Sequence, residues 1–76
     1  MHLSTIKNNR YYTVDKIKLP EKTKRRLYDI GLVTGTKINL LFNSPSKKIK
    51  AYLIRDSIIA IRNNDASKIE VSEFND

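Results

Sequence analysis

The stretch Ile30-Gly31-Leu32-Val33-Thr34-Gly35-Thr36-Lys37-Ile38 holds both glycines of the chain. Glycine enters the left-handed backbone region at little steric cost, so two of them in one short connection point to a sharp reversal. Upstream, Pro20 and Glu21 suit a first helical turn: the missing proline N–H is not needed there, and the carboxylate faces the positive helix end. From Glu21 to Ile30 the apolar stripe is thin, Leu27 and Ile30 extended backwards through Thr23, while Lys22, Lys24, Arg25 and Arg26 form the opposite face. A helix this short is marginal alone and must dock on something. Gly31 stands where a helix ends in a left-handed residue, with Leu32 placed to pack back on the last turn. Val33-Thr34-Gly35-Thr36 reads as a type II turn, whose third residue needs positive φ. The two glycines therefore predict a helix stop followed at once by a strand start.

Outward from this reversal the chain reads as strands and turns. Tyr12-Thr13-Val14 alternates at period two after an Asn8-Asn9 turn. Ile38, Leu40 and Phe42 alternate with Lys37, Asn39 and Leu41, and Ile49, Ala51 and Leu53 alternate with Lys50, Tyr52 and Ile54. Asn43-Ser44-Pro45-Ser46 is a loop by composition. Arg55-Asp56-Ser57 fits a hairpin turn, with Asp56 tolerating a left-handed conformation. Ile58 to Arg62 is nearly all apolar and is expected to be buried on both sides. Asn63 to Ala66 looks like a single helical turn, and Ile69 with Val71 forms a last short strand. Residues 71–76 are expected to be a loose tail. Several short strands plus one helix predict a mainly β single domain over residues 1–76, a small, partly open β-barrel.

The totals agree with a small domain of this kind. At 76 residues there is room for one compact core, and no cysteine is present to staple it. The longest apolar runs, Ala51–Ile54 and Ile58–Ile61, are four residues each, far short of the ~20 a membrane span requires. The first residues contain no apolar stretch resembling a secretion signal, so a cytoplasmic location is expected. A formal charge of +7 permits anionic partners. Lys, Ile and Asn account for 27 of the 76 residues, however, and the codons of an A/T-rich genome explain such a bias equally simply.

Three segments, RLYDIGLVTGTKINLL, KKIKAYLIRDSIIAIR and DASKIEV, together resemble the FeoA family, small cytoplasmic proteins that accompany bacterial ferrous iron transport. The matching positions are Arg26-Leu27, Asp29-Ile30-Gly31-Leu32, Gly35-Thr36, Ile59-Ala60-Ile61-Arg62 and Ala66-Ser67-Lys68-Ile69. Thr34 stands where the family usually has proline, Ser44 to Lys48 replaces a Gly-Asp-Pro, and Asp56 replaces a hairpin glycine. The resemblance implies an SH3-like barrel with a helical insertion. It also implies a partner, the cytoplasmic part of the FeoB transporter including its GTP-binding domain, with the membrane reached only through that transporter.

No constellation for catalysis is legible. His2 is the only histidine, no Ser–His or Cys–His pair can be assembled around it, and the eight carboxylates are scattered among cations. GLVTG lacks the Gly-Lys-Ser/Thr ending of a phosphate-binding loop. A binding module without catalytic residues, metal ligands or cofactor is expected. Its candidate partner contacts are Lys24, Arg25, Tyr28, Leu41, Tyr52 and Ile54, with Tyr11 as a further aromatic and Gly31 and Gly35 as structural turn residues. Leu41 and Ile54 are outward candidates that the helix or the N-terminal segment could cover, the tyrosines could cap core edges, and the basic helix face could be merely solvated. The alternative is a basic barrel binding single-stranded nucleic acid, with Tyr11, Tyr12 or Tyr52 as stacking platforms. A third reading is a detached relative of the barrels that end metal-dependent transcription repressors.

Overall fold

The computed structural model describes residues 1–43 and 48–74. A short 3-10 helix, Leu3–Thr5, is followed by strand β1 (Tyr11–Ile17), helix α1 (Glu21–Asp29), strands β2 (Lys37–Asn43), β3 (Ile49–Ile54) and β4 (Ser57–Arg62), the single turn α2 (Asn63–Ala66) and strand β5 (Ile69–Glu73). All neighbouring strands are antiparallel, in the order β4-β3-β2-β1-β5. The two end strands do not pair with each other, so the curled sheet is a partly open barrel, as expected. Pro20 lies just outside the helix, with extended ψ, and its carbonyl accepts from the Lys24 N–H. It therefore caps the first turn rather than joining it.

Two bulges bend the sheet. The pairing of β1 with β5 shifts between Val14 and Lys16, and that of β2 with β3 shifts between Leu40 and Phe42. Each inserts one extra residue, Asp15 or Leu41, which resets the alternation of faces. On β1 the shift lets Tyr12, Val14 and Ile17 all point into the core. On β2 it does the opposite to Phe42: Ile38 and Leu40 are buried, and Phe42 is turned out.

Register decides which phase of β3 faces inward. Ile38 pairs with Ile54 and Leu40 with Tyr52, so Tyr52 and Ile54 share the core side with two buried β2 residues. Tyr52 and Ile54 are both 0% exposed and are thus core residues, not partner contacts. Apolar residues occupy both phases of β3, and the alternation alone could not choose between them.

The strand β4 also departs from expectation. Only Ile61 is buried, Ile59 packs partly against the core, and Ile58 and Ala60 face solvent. An edge strand of a one-sided sheet has a single buried face, which the uninterrupted apolar run did not reveal. The Arg55-Asp56 turn joins β3 to β4 as a two-residue hairpin, with φ of 50° and 65°. Both values are positive, the type I′ geometry that matches strand twist.

The N-terminal ten residues close one end of the barrel. Leu3 and Ile6 enter the core, the Tyr52 hydroxyl donates to the Leu3 carbonyl at 3.3 Å, and Lys50 Nζ donates to the Ser4 carbonyl. The Tyr12 hydroxyl accepts from the Lys7 N–H at 3.3 Å. At the other side of the sheet, the Val71 N–H donates to the Met1 carbonyl at 2.8 Å and His2 bridges Glu70, so this segment also covers the outer edge of β5. The first part of the expected tail, Val71 to Glu73, is instead strand: Val71 is core, and beyond the strand the Phe74 N–H donates to the Tyr11 carbonyl at 3.0 Å. Ser44, Pro45 and Ser46 of the expected loop, and Asn75 and Asp76, lie outside the described residues.

Candidate functional site

The helix stop and strand start are built as one hydrogen-bonded unit. The Gly31 N–H donates to the Tyr28 carbonyl at 3.0 Å and the Leu32 N–H to the Leu27 carbonyl at 2.8 Å, with Gly31 at φ +93°. This pair of bonds is the Schellman arrangement, and Leu27 with Leu32 supplies its apolar contact inside the core. Four residues on, the Thr36 N–H donates to the Val33 carbonyl at 3.0 Å with Gly35 at φ +92°, the type II turn.

Thr36 ties the two turns together and is the one buried polar residue among those described. Its Oγ1 accepts from the Val33 N–H at 3.0 Å and donates to the Gly31 carbonyl at 3.1 Å. Thr36→Val keeps the shape and strands both backbone groups, so urea denaturation should show a loss of about 1–3 kcal/mol. A loss below about 0.5 kcal/mol would mean that water replaces the hydroxyl.

This corner sets α1 against the barrel with only Leu27 buried. Arg25 is exposed, Lys24 half-buried, and Tyr28 keeps 44% of its surface open. Between α1 and β4 runs a groove of about 440 Å³ whose walls include Thr23, Arg26, Ile30, Ala60, Arg62 and Asp65. Beside the second turn, Lys37 Nζ sits 4.3 Å from the Tyr11 ring centre and 4.6 Å from that of Phe74. Of the three tyrosines considered as stacking platforms, Tyr12 and Tyr52 are buried, and Tyr11 already holds Lys37.

A further apolar surface lies on the outward face of β2, β3 and β4. Cross-strand register places Phe42 beside Ala51 and Ala51 beside Ala60 in one row, and Asn39, Leu53 and Ile58 in the next. Ile58 is 65% exposed and Phe42 58%, with Ile49 at the end of the same face. Ala51 between Phe42 and Ala60 is itself buried; exposed apolar groups gathered on one face of a small domain are a candidate surface for meeting another molecule. Leu41, the bulge residue beside Phe42, is half-buried. Thus Lys24, Arg25, Tyr28 and Leu41 retain accessible surface, whereas Phe42, Ile49 and Ile58 were not foreseen. A two-residue hairpin would by itself have paired Leu53 with Ile58, and that was the available signal for Ile58. The bulge that exposes Phe42 left none.

No group of three or more His, Cys, Asp or Glu converges among the described residues, and no helix among them is long and apolar enough to cross a membrane.

Residues 1–73 match the FeoA domain family. The solution structure of the FeoA protein of Chlorobium tepidum superposes with a TM-score of 0.92 at 28% identity, covering 99% of this chain and 71% of that one. The zinc complex of Stenotrophomonas maltophilia FeoA, described as a procaryotic SH3 domain protein, superposes with a TM-score of 0.78 at 21% identity, covering 95% of this chain and 89% of that one. A manganese-dependent transcriptional repressor in complex with manganese shares the fold at TM-score 0.86 and 16% identity, over 97% of this chain and 36% of that one. No curated protein matches the sequence.

Proposed function

The chain belongs to the FeoA family, and we propose on that premise that it binds the cytoplasmic part of a FeoB ferrous iron transporter and modulates its activity or assembly. It acts on the cytoplasmic side, reaches the membrane only through that partner, and performs no catalysis of its own. The observation that carries this reading is the open apolar face of Phe42, Leu53, Ala60 and Ile58, a contact area without reactive groups. The similar FeoA of S. maltophilia has been put forward as a bacterial ferrous iron transport activating factor, which agrees with such a role. Leu41 adjoins the face, and Lys24, Arg25 and Tyr28 of α1 extend the contact, the positive charge of Lys24 and Arg25 suiting an acidic partner surface.

Titrating the isotopically labelled chain with the transporter's cytoplasmic domain, in its GTP- and GDP-bound states, tests the proposal. Amide shifts should cluster on β2, β3 and β4, and Phe42→Ser should weaken binding by about tenfold or more, as expected for an aromatic anchor. Absence of shifts at high concentration in both nucleotide states would sink it. Tight binding to mixed oligonucleotides that collapses steeply with salt would favour the nucleic-acid reading instead.

A further inference from the structure

We propose that the free edge of β4 pairs antiparallel with β4 of a second copy of this chain, about a two-fold axis at Ile59. The sheet has two end strands, and they are treated differently. The outer edge of β5 is covered by Met1 and His2. The outer edge of β4 has no backbone partner among the described residues, and α1 stands across a groove of about 440 Å³ from it. Sheet edges usually carry a charge, a proline or a bulge that stops another strand from adding. From Ser57 to Ile61 this edge has none of these, and its pairing with β3 runs without a break.

The occupant follows from the sequence of the edge itself. Pairing about a two-fold axis keeps like faces together only in registers centred on a residue, and centring on Ile59 places Asp56 opposite the copy's Arg62 at both ends. The same register puts each Ile58 beside the copy's Ala60 and each Ser57 beside the copy's Ile61. Centring on Ile58 or Ala60 sets Asp56 or Arg62 against an uncharged residue. Among the described residues, neither Asp56 nor Arg62 makes an ion pair. A chain of net charge +7 is repelled by its own copy, so opposite charges at the contact are what a symmetric pairing requires. The other charges facing the groove are Arg26 and Asp65, one of each sign. The pairing joins the two outward apolar faces into one surface across the axis. It does not depend on the transporter, because it uses the edge of β4 and not the face carrying Phe42.

Sedimentation equilibrium of the full chain from about 10 µM to 1 mM reads this directly, since a single added strand pair makes a small interface and a weak dimer. A monomer–dimer equilibrium within that range is expected. Arg62→Asp and Asp56→Lys should each weaken it by about tenfold or more, because each sets like charges opposite one another twice. The double variant Asp56→Lys/Arg62→Asp should restore the wild-type constant to within about threefold, which also separates charge matching from loss of folding. Phe42→Ser should leave self-association unchanged, so its effect on transporter binding is a separate result. A chain still monomeric at about 1 mM, single reversals without effect, or a double variant that fails to recover would each overturn the pairing.

Discussion

Tyr52→Ala is expected to cost about 3–5 kcal/mol, because it empties the centre of the core. Tyr52 is one of the two largest fully buried side chains, set between Leu40 on β2 and Ile59 on β4, and its hydroxyl holds the Leu3 carbonyl. A domain of 76 residues has a total stability on the order of 4–11 kcal/mol, so this one substitution removes about a quarter of it or more. Urea unfolding checks the value, and a cost below about 1 kcal/mol would show that the core collapses around the gap. The same site has a pH signature. Burial pushes the Tyr52 phenol from 10.0 up to about 12. The folded chain then keeps the proton that the unfolded chain releases, so the contribution is complete below pH 10 and falls as pH rises towards 12. Tyr52→Phe keeps the ring and removes this ionisation, so the variant should lose less stability than the wild type over that interval. Equal losses would mean that the phenol ionises without hindrance in the folded chain.

Gly31→Val should cost about 3 kcal/mol, and Gly35→Val about 1–2 kcal/mol, both at positive φ. The difference comes from surroundings. A Cβ on Gly31 would meet Arg55 Cδ at 2.9 Å, whereas a Cβ on Gly35 meets nothing within 4 Å. Arg55 itself occupies the left-handed region and lies over Gly31, so the helix stop and the β3–β4 hairpin are packed on each other. Urea midpoints of the two variants provide the comparison. Equal costs would show that the Arg55 side chain moves aside freely, and no cost at either glycine would remove the turn geometry from the account.

These turns were the most legible part of the molecule, because glycine placement is a local matter. Gly31 and Gly35 adopt positive φ in the two turns read from IGLVTG, and Asn63 to Ala66 forms its single turn. The faces of the strands were less legible. Ile49 to Ile54 carries apolar residues on both phases, and which phase is core follows from pairing Ile38 with Ile54 and Leu40 with Tyr52. Long-range registry of this sort is not written in the strand's own residues. Leu41 and Phe42 show the same limit: one inserted residue reverses a face, and no residue type marks it. For the contact surface, charge and aromatic content pointed to α1 and to Tyr52, whereas Phe42 and Ile58, among the most exposed apolar groups, lie on β2 and β4.

Local backbone preference and the order of short motifs were enough to specify a helix that halts at Gly31, a sheet that starts after Gly35, and membership in a family of small SH3-like domains. The tertiary structure decided burial: it drew Tyr52 and Ile54 inward, turned Phe42 and Ile58 outward, covered the β5 edge with Met1 and His2, and left β4 open. The physical reason is range. A turn depends on φ angles within a few residues, while the exposure of a strand face depends on which distant strand lies beside it and in what register.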